Sequence, residues 1–350
     1  RLSFAAQLAA RGARTQALAV LPEGEAVYVR ARADLTRGKG GPGAAVLAPR
    51  QGLGRLLTRL AMDISSDSST QVMGIRLARM AVFANPDDAD SRIALAELLT
   101  QSGHAAYGAA EARKVSVDGW FGPLAQSALV DALAESGDAD AAIALAHSLA
   151  AVPGADAERH VRYGRLLAQA DRFGNAADAF RAAQAGYAPD AVPWALLLFE
   201  GSALEQAGRW DEARAALERA ARIAPDQAVI LNHLGYAQIE RRQNVQAALE
   251  LLKKASALKP DDPAITDSLG WAQFVTGDVE AAVPVLERAA EGAPADATIN
   301  EHLGDALWAA GRRYEARYAW RAAAAFADGE AAVRLNAKTR EGMKPEYAAR

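Results

Sequence analysis

Leu234-Gly235-Tyr236, Leu269-Gly270-Trp271 and Leu303-Gly304-Asp305 are one short phrase written three times. The glycines stand 270 − 235 = 35 and 304 − 270 = 34 residues apart, and Gly201, in Phe199-Glu200-Gly201-Ser202, adds 235 − 201 = 34. A period near 34 residues fits a helix-turn-helix unit, and units of that size stack into a solenoid. The block 194–227 shows the grammar of one unit. Leu197, Gly201 and Leu204 follow at spacings of four and three, which places them along one face of a first helix. Gly208 ends that helix, Trp210, Ala213, Leu217 and Ala220 mark a second stripe, and Pro225 stops it. Small residues at Gly201, Ala213 and Ala220 let the paired helices approach, while Leu217 and Trp210 fill the space between units. The expected fold is therefore all-α.

Outward from this block the pattern continues in both directions. Units are expected over 228–262, with one extra residue in Arg241-Arg242-Gln243-Asn244, then over 263–296 and 297–326. Upstream, weaker copies cover 157–190, 123–152 and 89–122, the last with a degenerate second helix, and Asn85-Pro86-Asp87-Asp88 closes an earlier one. About seven units start from near residue 50. Residues 1–21 read as a further degenerate unit turning at Gly12, and Glu25 to Arg37 as one helix. Gly38 to Gly43 is the strongest breaker and Ser65 to Ser69 a second. The expected organisation is a helical segment over 1–45, degenerate repeats over 46–193, well-formed repeats over 194–326, and a capping helix with a frayed tail over 327–350.

Composition narrows the function. Apolar residues make up 51%, led by alanine, and aromatics only 6%, a mix that suits close helix packing. The formal charge of −4 argues against nucleic acid as a partner, which needs a concentrated basic surface. No apolar run reaches the roughly 18 residues of a membrane helix. Cysteine is absent, which removes thiolate chemistry and Cys-type zinc sites.

Residues 194–325 resemble a large group of tetratricopeptide-repeat proteins common in alphaproteobacteria. The resemblance is carried by Leu231-Asn232-His233-Leu234-Gly235-Tyr236, Asp267-Ser268-Leu269-Gly270-Trp271 and Ile299-Asn300-Glu301-His302-Leu303-Gly304-Asp305-Ala306-Leu307-Trp308, and by the insertion at Asn244. It implies a right-handed superhelical α-solenoid. Members often carry export signals, so a periplasmic or outer-membrane-associated location is expected if a leader was removed before Arg1, and a cytoplasmic one otherwise.

In such a solenoid the first helices line a concave groove. The positions expected to be exposed there are Asn232, Tyr236 and Ile239 in one unit, Asp267, Trp271 and Phe274 in the next, and Glu301, Asp305 and Trp308 in the last. His233, Ser268 and His302 share a position beside them. Trp and Tyr are frequent anchors at protein interfaces, and packing between neighbouring first helices is the competing reading of the same residues. The carboxylates favour a basic or polar ligand segment.

Motifs for chemistry are missing. The five histidines form no HxxxH or HxH pair, so no metal or other cofactor is expected. Gly38-Lys39-Gly40-Gly41 lacks the spacing of a phosphate loop, and no nucleophile elbow is present. Asp87-Asp88 and Asp261-Asp262 fit helix caps. The expected function is a non-enzymatic scaffold holding a protein or peptide segment, with self-association left open. Two alternatives are an envelope assembly factor for secretion, pilus or polysaccharide export, and a regulatory arm of a larger catalytic assembly.

Overall fold

The computed structural model describes residues 1–42, 47–65 and 67–347. Gly43 of the glycine-rich breaker, Ser66 of the serine run and the last three residues of the tail lie outside them. The described residues hold helices and turns and no strand. By contacts the chain divides into two compact units, Arg1–Ala188 and Pro189–Arg350.

The first unit contains α1 (Leu2–Ala10), α2 (Arg14–Ala19), α3 (Ala26–Thr36), α4 (Pro49–Ile64), α5 (Gln71–Ala84), α6 (Ala89–Gln101), α7 (Ala105–Ala112), α8 (Gly122–Glu135), α9 (Ala139–Ala150), α10 (Ala157–Gln169) and α11 (Phe173–Gln184). From α4 onward these pair as α4–α5, α6–α7, α8–α9 and α10–α11. The degenerate second helix expected in 89–122 is α7, which stops after two turns. The chain beyond it does other work: Val115, Trp120 and Phe121 join a core with Leu2, Leu21 and Leu35 of the N-terminal helices. Trp120 Nε1 donates to Asp34 Oδ2 at 3.1 Å and ties α3 to the same place.

The second unit contains α12 (Trp194–Gln206), α13 (Trp210–Ile223), α14 (Ala228–Glu240), α15 (Val245–Leu258), α16 (Pro263–Val275), α17 (Val279–Gly292), α18 (Ala297–Ala309), α19 (Arg313–Ala324) and α20 (Gly329–Glu341). Each first helix meets its second at the recurring glycine. A Cβ on Gly235 would stand 2.8 Å from Leu252 Cγ, one on Gly270 2.7 Å from Leu286 Cγ, and one on Gly304 2.4 Å from Trp320. Leu217, Leu252, Leu286 and Trp320 are fully buried in return. Each leucine contributes roughly 1.5–3 kcal/mol relative to exposure. The extra residue between α14 and α15 is absorbed by two left-handed residues, Arg242 (φ 51°) and Asn244 (φ 48°).

Aspartates cap several of the first and second helices. Asp88, Asp138, Asp156, Asp262, Asp278 and Asp296 each accept a backbone N–H of the first turn. Such a cap is worth about 1 kcal/mol. The aspartate pairs of the turns thus serve the fold.

Candidate functional site

In the second unit the structure corrects the exposure expected of the groove residues. Ile239, Asp267, Ser268, Trp271, Glu301, His302 and Asp305 are all buried. The physical reason is that successive first helices pack directly on one another, so the residue after each glycine faces a neighbouring first helix. Trp271 shows this most fully. Its Nε1 donates to Glu240 Oε1 on α14 at 2.6 Å. Its ring stacks on His302 of α18, with centroids 4.0 Å apart and planes at 14°, and leans on Phe274 at 5.1 Å. His302 Nδ1 lies 2.9 Å from an Asp267 carboxylate oxygen. Ser268 Oγ turns back on its own helix and donates to the Ala264 carbonyl at 2.9 Å.

The expectation that these carboxylates stay free for a basic ligand fails for a second reason, α20. Lys338 stands 338 − 304 = 34 residues after Gly304, one period on, yet is a fully buried lysine. Its Nζ donates to Glu301 Oε1 at 2.7 Å and to both Asp305 oxygens at 2.8 Å. Arg334 adds a two-pronged contact to Glu301 at 2.9 and 2.8 Å, and Trp320 Nε1 donates to Asp305 Oδ1 at 2.8 Å. Burial would raise Glu301, but Arg334 and Lys338 outweigh it and hold its carboxyl below the usual range. For Asp305 burial wins, and its carboxyl is pushed up despite Lys338 and Trp320. The protein's own last helix supplies the cations for this acidic end.

The other expected residues are half-buried. His233 Nε2 contacts Glu205 Oε2 at 2.6 Å, and Arg241 reaches the other oxygen at 2.8 Å. Burial raises Glu205, yet these two contacts leave its carboxyl below the usual range. Tyr236 has its hydroxyl pushed well up, first by burial and then by the charges of Glu240 and Asp267. Trp308 carries the guanidiniums of Arg313 and Arg317 at 5.3 and 5.1 Å from its ring centre. Asn232 is different in kind: its Oδ1 is buried without a hydrogen-bond partner in the structure.

A large concavity lies elsewhere, within the first unit. A cleft of about 820 Å³ is lined by Val27 and Val29 of α3, Glu97 of α6, Leu124, Ser127 and Asp131 of α8, Arg159 and Arg162 of α10, and Tyr187. Arg162 contacts Asp131 Oδ1 at 3.2 Å and donates to Ser127 Oγ at 2.9 Å. Asp131 is still pushed up, because burial exceeds the pull of Arg162. Glu97 forms no ion pair among the described residues, since Arg162, which lines the same cleft, is paired with Asp131. Burial, then the charges of Asp131 and Asp90, push its carboxyl above the usual range. The cleft therefore offers a desolvated negative charge beside apolar walls.

Sequence reasoning missed this cleft. One signal was available: 131 − 97 = 34, so Glu97 and Asp131 occupy equivalent first-helix positions in adjacent degenerate units. Two acids in register at a groove-facing position stand out from the apolar residues around them. Among the described residues no cluster of His, Asp and Glu is arranged to hold a metal ion.

Two family models described as tetratricopeptide repeat match the chain, over residues 204–272 and 268–334. No curated protein matches it. Among solved structures, the chain is similar to YrrB, described as a tetratricopeptide-repeat protein with an unusual peptide-binding site, at 19% identity and a TM-score of 0.41. That match covers 52% of this chain and 92% of the other. It is also similar to MamA from Desulfovibrio magneticus RS-1, at 15% identity and a TM-score of 0.43, covering 49% and 94%. A second MamA structure, MSR-1, gives 22% identity and a TM-score of 0.40, covering 49% and 95%. With the glycine-centred helix pairs of the second unit, the family matches identify residues 204–334 as tetratricopeptide repeats.

Proposed function

We propose that this protein is a non-catalytic scaffold whose first-unit cleft holds a polypeptide segment carrying a basic side chain or amine. The observation that carries the reading is Glu97: a carboxylate partly withdrawn from water, repelled by Asp131 and Asp90 and in no ion pair among the described residues. A ligand cation relieves both burdens at once, by pairing with Glu97 and by screening it from its acidic neighbours. Val27, Val29, Leu124 and Tyr187 supply apolar wall for the aliphatic part of a lysine or arginine and its neighbours. The volume suits a few residues of extended chain. Stacked helical units commonly present such surfaces for polypeptides.

The test is fluorescence anisotropy with a panel of labelled lysine-bearing peptides, each paired with its acetyl-lysine counterpart. Binding should fall on acetylation, and Glu97→Gln should remove the difference between the two forms. Peptides that bind equally in both forms, or that ignore Glu97→Gln, would sink the proposal.

A second reading keeps the groove of the C-terminal repeats as a contact surface, now reduced to the half-buried Asn232, His233, Tyr236, Phe274 and Trp308. It is favoured by Asn232, a half-buried side chain whose Oδ1 has no hydrogen-bond partner among the described residues. Asn232→Ala separates the two readings, since it leaves the first-unit cleft untouched.

A further inference from the structure

In a stacked array each helix pair buries one face on the pair before it and one on the pair after it. Among the described residues the pair α4–α5 packs chiefly on α6. Thr58 of α4 touches Ser91 of α6 at 2.8 Å, and Ile75 and Val82 of α5 pack on the cluster that includes Leu95 and Leu98. At about 100° per residue, Leu53, Leu56 and Leu60 stand on the opposite side of α4 from Thr58. By the same count Met73 and Met80 stand opposite Ile75 and Val82, and all five are exposed. Phe83, next to them on α5, is 88% exposed. Eight of the 21 large apolar side chains that stand exposed among the described residues fall within 49–84, a tenth of the chain. This is a concentrated patch rather than the ordinary scatter.

Its charge is the reverse of the chain's. The two helices carry Arg50, Arg55, Arg59, Arg76 and Arg79 against Asp63 alone, so 5 − 1 gives +4 in a protein of net −4. Arg59 is paired with Asp63 at 2.9 Å. Arg50, Arg76 and Arg79 are exposed and have no carboxylate partner among the described residues. Arg76 and Arg79 stand within about 40° of Phe83 by the same count, along the border of the apolar face, and α5 contains no acid. We propose that the α4–α5 hairpin docks on an anionic lipid bilayer, lying in the interface with Phe83, Met80 and the α4 leucines among the acyl chains and the free arginines at the phosphates. No helix among the described residues is long and apolar enough to cross a membrane, so the contact is peripheral. Two copies joined through this hairpin would bring together two helix pairs of +4 each, which disfavours self-pairing here. A bilayer accepts apolar and cationic groups from one helix side without needing fixed carboxylates opposite each arginine.

Flotation of the full chain with vesicles of mixed phosphatidylglycerol and phosphatidylcholine, against phosphatidylcholine alone, tests this. Binding is expected to the mixed vesicles and to weaken with salt. Arg76→Glu with Arg79→Glu should lower it by at least roughly 25-fold, about fivefold per arginine. Phe83→Asp should also lower it, while Val333→Asp, at an exposed site on α20, should not; circular dichroism checks that each variant keeps its helices. Equal binding to neutral vesicles, no binding to either, or binding that these hairpin variants leave intact overturns the proposal. A wild-type dimer that Phe83→Asp turns into a monomer overturns it too and assigns the face to a second copy. None of these readouts involves the Glu97 cleft, so the two proposals stand or fall separately.

Discussion

Lys338→Met is the sharpest test of how the C-terminal unit is closed. The lysine is fully buried, and its ammonium is shared between Glu301 and Asp305 at 2.7 and 2.8 Å. Methionine fills most of the same volume, so the perturbation is mainly the loss of one charge. Glu301 keeps its two contacts from Arg334, but Asp305 keeps only the Trp320 N–H. Breaking a buried ion pair from one side costs about 3–5 kcal/mol, and the surviving Arg334 contact favours the lower end. For a unit of this size that is a fall of about 1–2 M in the urea midpoint. Trp320 lies beside the lysine, so tryptophan fluorescence reports the transition locally. The pH dependence follows from the two carboxyls. Glu301 is held below its usual range, so its contribution is present above the unfolded value and is lost as pH falls through the folded one. Asp305, pushed up, acts in the opposite sense and costs stability once ionised. Removing Lys338 raises both carboxyls. The variant's deficit is therefore largest near neutral pH and narrows in acid, where both carboxyls are protonated and the wild type has lost its ion pairs. A neutral-pH deficit below about 1 kcal/mol, the range of exposed pairs, with no change in acid, would show that α20 does not seal this face.

Two further outcomes follow from the same geometry. Trp271→Ala removes a buried ring, its hydrogen bond to Glu240 and the stack on His302, and should cost about 3–5 kcal/mol in urea unfolding; a loss under about 1 kcal/mol would mean the seam is open and the ring free for a ligand. Glu97→Gln should raise the unfolding midpoint near neutral pH and have no such effect in acid. The raised carboxyl favours the folded state only below its unfolded value, and that contribution is lost as pH rises through the folded one. Parallel wild-type and variant curves across the whole range would contradict the placement of Glu97.

The fold was legible because its rules are local and repeat. Gly235, Gly270 and Gly304 sit where a second-helix side chain presses within van der Waals distance, so the constraint recurs at each period and shows as spacing. The site was less legible because burial between first helices depends on how closely consecutive units approach. Nothing local to Trp271 states that His302, a unit away, will cover it. The acids at Glu301 and Asp305 read as a ligand-facing pair until the chain beyond them is placed, and the decisive cations lie more than thirty residues on, in a helix whose sequence reads only as polar. Lys338 occupies the period position that glycine holds in the four preceding first helices, and the substitution itself was the available signal. A glycine there admits a second helix of its own unit, whereas a lysine spends the position on the carboxylates behind it. At α20 that position is filled by a side chain reaching back to Glu301 and Asp305, whereas Gly235, Gly270 and Gly304 leave room there for Leu252, Leu286 and Trp320 of a second helix.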